Sequence, residues 1–154
     1  MIFLLKILLI ILLLLAVGVL VAGFYRTWQV QHDKREAIFL KGTFPDPLPN
    51  GFYNGTIDRK VSWHGKKFNS LKAEGINVFD NGEKYSFITY EGKGLADKNL
   101  EVLKIDYNIS GNPFWLKFIL DEIVQITPNQ YLGKLHIRLI PGLPFSLGYF
   151  WLKK

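Results

Sequence analysis

The sequence predicts a mainly β protein in which one N-terminal membrane helix precedes a small antiparallel β-barrel of about eight strands. Residues 2–24 form an almost unbroken apolar run that is long enough to cross a bilayer. The rest of the chain has short segments of alternating polarity, separated by turn residues at roughly the 8–12-residue spacing typical of barrels and sandwiches. A closed barrel leaves no open sheet edge, and an open half-barrel or a sandwich is the alternative.

The N-terminal run is the first predicted element. Residues 7–22 contain no charged side chain, and Lys6 lies near the start of the run. About 20 helical residues rising ~1.5 Å each span the ~30 Å hydrocarbon core of a bilayer. A cleaved signal peptide cut near residues 21–23 is the alternative, but the run is at the long end for a signal and lacks an A-x-A sequence. We therefore expect residues 1–25 to be an uncut transmembrane anchor.

The flanks of the anchor give opposite predictions of its orientation. Lys6 lies on one side, whereas Arg26, Lys34 and Arg35 lie on the other. The tendency of Lys and Arg to stay cytoplasmic would place the domain in the cytoplasm. The very short N-terminal tail is instead typical of a signal-anchor, which exports the part that follows it. We predict a single-pass protein of the inner (plasma) membrane with a periplasmic, extracytoplasmic domain.

Composition limits the classes of function. The 154-residue chain has 15% aromatic residues, no cysteine and a formal net charge of +6. Without cysteine there is no disulfide, no thiol catalysis and no Cys-ligated zinc. The lysines are spread along the domain and form no basic block, so we predict no nucleic-acid partner. This positive surface suits anionic lipid headgroups, where each nearby cation contributes ~1 kcal/mol.

Residues 26–50 are predicted to connect the anchor to the barrel. Tyr25 and Trp28 have the amphipathic rings that are enriched at the headgroup level. A helix can continue from there along the membrane surface. Residues 44–51 then contain three prolines at alternate positions, which favour an extended tether. We place the barrel domain at residues 51–154.

Alternation and turn residues define the strands of this domain. The predicted strands cover residues 56–64, 75–79, 84–90, 101–110, 119–126, 131–140 and 145–152. Asp80-Asn81-Gly82 predicts a tight hairpin, because Asn and Gly tolerate the positive φ that such a turn needs. Turns are also predicted at residues 54–55 and 65–67. The apolar residues 114–120 fit either a strand or a helix.

Three motifs in the C-terminal part carry a family resemblance. They are residues 120–124 (LDEIV), 128–134 (PNQYLGK) and 150–154 (FWLKK). This third of the chain resembles small uncharacterised bacterial membrane-anchored proteins with a lipocalin-like (calycin-type) β-barrel. The resemblance implies a barrel that can hold an apolar ligand, and it implies no known reaction. The chain departs from the usual lipocalin G-x-W motif, since Trp63 lacks that spacing.

Glu122 is the most informative candidate for a site. If residues 119–126 form a strand, Leu120, Glu122 and Val124 share a face that we predict to be the inner one. Glu122 then lies at the barrel mouth or pairs with an Arg or Lys, or it anchors a ligand headgroup or acts as an acid/base, because buried carboxylates are uncommon and often functional. The predicted ligand-binding residues are Trp63, Tyr107, Glu122, Tyr131 and Leu135.

No pattern predicts a catalytic or metal centre. His32, His64 and His136 are expected to point to solvent, and their spacing does not bring them together. There is no G-x-S-x-G motif, and Ser146 reads as an ordinary strand residue. Residues 92–94 (GKG) are too short for a phosphate-binding loop. We predict no catalytic residue, no metal and no cofactor.

These observations predict a membrane-anchored barrel that binds an apolar or lipid-like ligand at the cell envelope and is not an enzyme. One alternative is a non-enzymatic accessory subunit that docks on a membrane protein through its outer surface. A second alternative is an enzyme that acts on a lipid-like substrate. The predicted partners are the lipid bilayer, an apolar small molecule and a membrane protein. A ligand-sized apolar cavity inside the barrel would favour the first function.

Overall fold

A computed structural model describes residues 2–154, beginning with two helices. Helix α1, Ile2–Gln31, is long and apolar enough to cross a membrane by length and composition. Helix α2, Lys34–Lys41, follows at once. Asp33 caps α2, since its side chain accepts a hydrogen bond from the Arg35 backbone N–H at 2.8 Å. The adjacent Arg35 guanidinium lowers the pKa of Asp33 to about 2.

Eight antiparallel strands follow and close into a barrel in sequence order, β1 pairing with β8. The closed antiparallel barrel behind a long apolar helix confirms the predicted fold class. A short 3-10 helix at Phe114–Phe118 precedes β6, which resolves the ambiguity of residues 114–120. The strands are β1 Gly51–Ile57, β2 Trp63–Asn69, β3 Glu74–Phe79, β4 Gly82–Lys93, β5 Glu101–Asp106, β6 Ile119–Thr127, β7 Gln130–Ile140 and β8 Leu143–Lys153.

Two of the turns predicted for the first strands of the barrel are wrong. The expected turns at residues 54–55 and 65–67 lie inside β1 and β2, and the real connection is residues 58–62. Gly55 and Gly65 are present because another group crosses closely over them. A side chain at Gly55 would collide with the Trp63 ring, and one at Gly65 would collide with the backbone of Tyr53. Glycine here marks close approach and not a turn.

Side chains from all sides of the barrel fill its interior. Five aromatic pairs meet edge to face with ring centroids 5.3–5.8 Å apart. Gly133 on β7 faces the Phe150 ring, and a side chain there would overlap this ring. The buried members of this inner cluster are Tyr53, Phe68, Phe87, Leu103, Ile105, Tyr107, Leu116, Ile123, Tyr131, Phe150 and Leu152.

A second buried layer lies between the outside of the barrel and the two helices. Val30 of α1 and Phe39 of α2 pack against the outer face of β5–β8, which contributes the other buried members of this outer cluster. Those members are Val102, Val124, Leu132 and Tyr149. The strands of this half are therefore buried on both faces. The proline-containing segment also packs on the barrel, where Pro45 and Pro49 are buried.

Helix α1 runs along β8, and this fixes the direction of its apolar part. Phe24 packs edge to face on Phe145 at 5.4 Å, and further along both elements Val30 meets Tyr149. Helix residues before Phe24 therefore extend beyond the end of the barrel where β8 begins. We call this the anchor-side end. It also carries the connections at residues 58–62, 80–81, 107–118 and 141–142.

Candidate functional site

The five predicted ligand-binding residues are divided between the layers of the molecule. Tyr107 and Tyr131 are buried in the interior, and Trp63 packs against the same inner cluster. Leu135 is half-buried and lines a cleft next to α1. Glu122 is fully buried but lies in the outer layer. Their role in binding a ligand stays a prediction.

The predicted inner face of β6 is wrong by one residue. Ile123 belongs to the inner cluster and Val124 to the outer one. Because side chains alternate along a strand, Asp121 points into the barrel and Glu122 points out of it. The prediction failed because helices and a loop cover the outside of this strand. Apolar residues therefore occupy both of its faces and do not distinguish inside from outside.

The expected partner of Glu122 is present nonetheless. One carboxylate oxygen, Oε1, accepts a hydrogen bond from the Leu95 backbone N–H at 2.7 Å and lies 3.8 Å from Lys104 Nζ. The other oxygen, Oε2, lies 3.1 Å from His136 Nε2. These contacts satisfy a carboxylate that is completely removed from solvent.

His136 differs most from its prediction. His32 and His64 are exposed as expected, but His136 is fully buried beneath α1. Its Nδ1 lies 3.2 Å from Ser146 Oγ, and the Ser146 backbone N–H donates to Thr27 Oγ1 of α1 at 3.0 Å. Adjacent strands thus align Ser146, His136 and Glu122 in one hydrogen-bonded chain. Sequence reasoning missed this chain, because only pairing of β6, β7 and β8 brings the residues together.

This chain has the residue types of a serine hydrolase triad, but its surroundings favour a structural role. Ser146 is 1% exposed, and α1 packs over it. A substrate carbonyl would have to reach Ser146 Oγ through that helix. The Ser146 N–H, which could otherwise stabilise an oxyanion, is used by Thr27. These hydrogen bonds connect β6, β7 and β8 to α1.

Lys134 forms a second polar centre in the outer layer. Its buried ammonium lies 2.7 Å from both Glu36 Oε2 on α2 and Asp97 Oδ2 in the β4–β5 loop. It also lies 4.6 Å from the centre of the Phe39 ring. The Tyr149 hydroxyl donates to Glu36, and burial followed by this hydrogen bond raises the pKa of Tyr149. These contacts connect α2 and the β4–β5 loop to β7 of the barrel.

A third polar centre lies inside the barrel. Lys66 Nζ lies 2.9 Å from Asp121 Oδ2 and donates to Asn77 Oδ1 at 2.9 Å and to the Tyr107 hydroxyl. Burial lowers the pKa of Lys66, and the nearby Asp121 charge opposes this shift. Burial also raises the pKa of Tyr107, whose hydroxyl donates to Asp121 at 2.9 Å. Within residues 2–154, Asp121 Oδ1 has no hydrogen-bond partner.

This centre occupies the middle of the predicted ligand space. The Lys66 ammonium lies 5.1–5.6 Å from the centres of four surrounding rings, those of Trp63, Phe87, Tyr107 and Phe150. An apolar ligand placed there would have to displace rings and strip partners from an ion pair. The interior side chains instead fill the barrel, as they can in an eight-stranded barrel.

Clefts also open to the surface of the molecule. One of about 630 Å³ runs beside β2–β4, and one of about 450 Å³ lies between Leu40 and the β4–β5 loop. A third, of about 400 Å³, lies at the junction of α1 with β1 and β8 and is lined by Arg26 and Arg59. Among the described residues, no group of three or more His, Cys, Asp or Glu side chains could hold a metal ion.

Together these features define a closed eight-stranded antiparallel barrel that is packed against an N-terminal helix able to span a membrane. This architecture is consistent with the lipocalin-like barrel indicated by the C-terminal motifs. No family model matches the chain, and neither curated proteins nor solved structures give a significant match.

Proposed function

We propose that the protein is a membrane-anchored barrel of the cell envelope that binds lipid-like molecules at the bilayer surface, with its exterior and not its interior. The observation that carries this proposal is the apolar character of the anchor-side end. Phe114 and Trp115 are 72% and 56% exposed there, although both are large apolar residues. Leu139 and Ile140, at the end of β7, are exposed beside them.

The position of α1 supports contact of these residues with lipid. The β7–β8 turn lies three to four residues before Phe145, which corresponds to ~10–13 Å of strand. Phe145 is level with Gly23 and Phe24 of α1. Counting back ~1.5 Å per helical residue places the turn beside roughly residues 14–17, within the uncharged part of the anchor. Exposed apolar residues at that depth would face hydrocarbon and not water.

Neighbouring side chains suit the boundary between lipid and water. Tyr25 and Trp28 are exposed on α1 and stack with a centroid separation of 6.2 Å. Aromatic residues of this kind are enriched at the membrane interface. Arg59 and Lys60, in the β1–β2 loop of the same end, add positive charge at headgroup level. The anchor-side end thus has an apolar tip and a cationic, aromatic rim.

Site-directed spin labelling tests the proposal in the full chain. Because the chain contains no cysteine, Ile140→Cys provides a single labelling site. Leu71→Cys is the matched control, since Leu71 is 96% exposed at the opposite end of the barrel. In bilayers, we expect the label at position 140 to be accessible to oxygen and shielded from a water-soluble nickel chelate, with the reverse at position 71. Equal access of nickel to both labels would exclude membrane contact at this end.

The filled interior also favours the second candidate, a non-enzymatic accessory subunit that docks on a membrane protein through its outer surface. Native mass spectrometry of the full chain, extracted in a mild detergent, separates the two. Retained lipid supports the lipid-binding function. A lipid-free chain that remains associated with a membrane protein supports the accessory function.

We also propose that the barrel lies on the periplasmic side of the inner membrane. An apolar helix followed by a folded domain can act as a signal-anchor and export that domain, while the charges that flank the anchor favour the opposite side. Fusing reporters to the C-terminus tests this, one active only in the periplasm and one only in the cytoplasm. Activity of the cytoplasmic reporter alone would place the barrel in the cytoplasm.

A further inference from the structure

The cleft between α1 and the barrel combines charge with an apolar wall just after the apolar run of α1. Its volume is about 400 Å³. Arg26, on the first helical turn after the apolar run, and Arg59, in the β1–β2 loop, supply the cations. The apolar lining comes from Ile57, Leu135, Leu147, Tyr149 and Phe150.

The charge of Arg26 is oriented but not neutralised. Its Nε donates to the Leu147 carbonyl at 2.7 Å, and its Nη1 donates to Gln29 Oε1 at 3.1 Å. Both acceptors are uncharged. These two bonds fix the guanidinium against β8, with Nη2 next to Gly148. A positioned cation without an acidic partner can bind an anion with little loss of side-chain entropy.

The one carboxylate that lines the cleft is already paired outside it. Asp58 accepts two hydrogen bonds from Arg35, at 2.8 Å and 2.6 Å. Both Asp58 oxygens thus contact Arg35, which also pairs with Asp33. Within the described residues, no ion pair involves Arg26 or Arg59. The cleft therefore has two guanidinium groups that form no ion pair with the carboxylate beside them.

We propose that this cleft binds the phosphate group of an anionic membrane lipid. Guanidinium groups match phosphate oxygens in geometry and charge, and the apolar wall can pack against the glycerol and upper acyl carbons. The inference rests on the proposed function, because it requires the anchor-side end to lie at the bilayer. A free phosphate compound offers the same charge but cannot use the apolar wall.

Arg59→Gln is the informative substitution, since Arg59 is exposed in a loop and holds no other element in place. The full chain is reconstituted in nanodiscs of phosphatidylcholine with a small fraction of phosphatidylglycerol. Native mass spectrometry then compares how much of each lipid is retained. We expect preferential retention of phosphatidylglycerol by the unmodified chain and a decrease of about tenfold or more in Arg59→Gln, because a hydrogen bond to a charged group is lost.

Lys98→Gln is the matched control, because it removes one exposed charge from the opposite end of the barrel. We expect this variant to retain phosphatidylglycerol like the unmodified chain. Equal losses in the two variants would mean that only net charge attracts the lipid, and no loss in Arg59→Gln would overturn the site. Displacement of the lipid by millimolar inorganic phosphate would overturn the assignment to a lipid. A label at position 140 that is shielded by the bilayer, together with unchanged lipid retention in Arg59→Gln, would reject the cleft and leave the proposed function standing.

Discussion

Removing Lys66 from the interior tests how the barrel is stabilised. Lys66 and Asp121 are almost completely buried, with 2.9 Å between Nζ and Oδ2. Coulomb attraction across that distance is ~6 kcal/mol at an effective dielectric of ~20. Lys66→Met leaves the Asp121 carboxylate buried without its cation. Breaking a buried pair in this way costs ~3–5 kcal/mol of unfolding free energy.

The neighbouring residue offers a matched control. Lys67 is exposed on the outer face of β2 and pairs with Glu83 at 3.0 Å, so we expect Lys67→Met to cost only ~0–1 kcal/mol. Asp121→Leu combined with Lys66→Met should recover most of the loss, because neither charge then remains buried. Urea unfolding of the full chain in detergent, followed by near-ultraviolet circular dichroism of the interior rings, measures all three. A cost for Lys66→Met within 1 kcal/mol of that for Lys67→Met would refute the reasoning.

Three further predictions concern the outer layer. A side chain at Gly23 would lie 2.8 Å from the Phe145 ring. We therefore expect Gly23→Leu to lower the free energy of unfolding by ~1–3 kcal/mol through overpacking and to speed amide exchange in β8. The control Gly18→Leu should leave both quantities unchanged. Glu122→Ala should cost ~3–5 kcal/mol in urea unfolding and Glu122→Gln less, since the amide keeps the shape and part of the hydrogen bonding; no effect of either would contradict the burial of this carboxylate. Tyr149 has a raised pKa in the folded state, so its contribution to stability is present below pH ~10 and lost as pH rises through the folded pKa. Tyr149→Phe should therefore weaken the alkaline loss of stability, and an unchanged pH profile would contradict this linkage.

The sequence predicted the second half of the barrel better than its beginning. Along β7, side chains alternate in polarity, and residues 141–142 form the predicted turn between β7 and β8. At the start of the barrel, Gly55 and Gly65 looked like turn residues because glycine commonly supplies positive φ. Their actual role is to let Trp63 and the Tyr53 backbone approach closely. That requirement involves residues brought near only by the fold, so local sequence patterns do not contain it.

The candidate site was harder to predict for a different reason. His136 alternates with apolar residues, and this pattern usually means that the polar side chain faces water. Here α1 and α2 cover the outer face, so Lys134 and His136 of β7 are buried too. The sequence gives no signal for such a second layer, because α1 looks like a membrane anchor along most of its length. Lys66 was missed for another reason, because residues 65–67 were predicted to be a turn and instead lie in β2.

The helices therefore contribute to the folding of the barrel. Thr27 satisfies the backbone N–H of Ser146, and Glu36 provides one of the two carboxylates that neutralise Lys134. Without these helix residues, buried polar groups on β7 and β8 would lose their partners, at a cost of ~1–3 kcal/mol for each uncharged group and more for a charge. A variant that lacks α1 and α2 would have to expose or repack the outer face of β5–β8. These contacts consequently hold the barrel in a fixed orientation relative to α1, and the cleft at their junction keeps its shape.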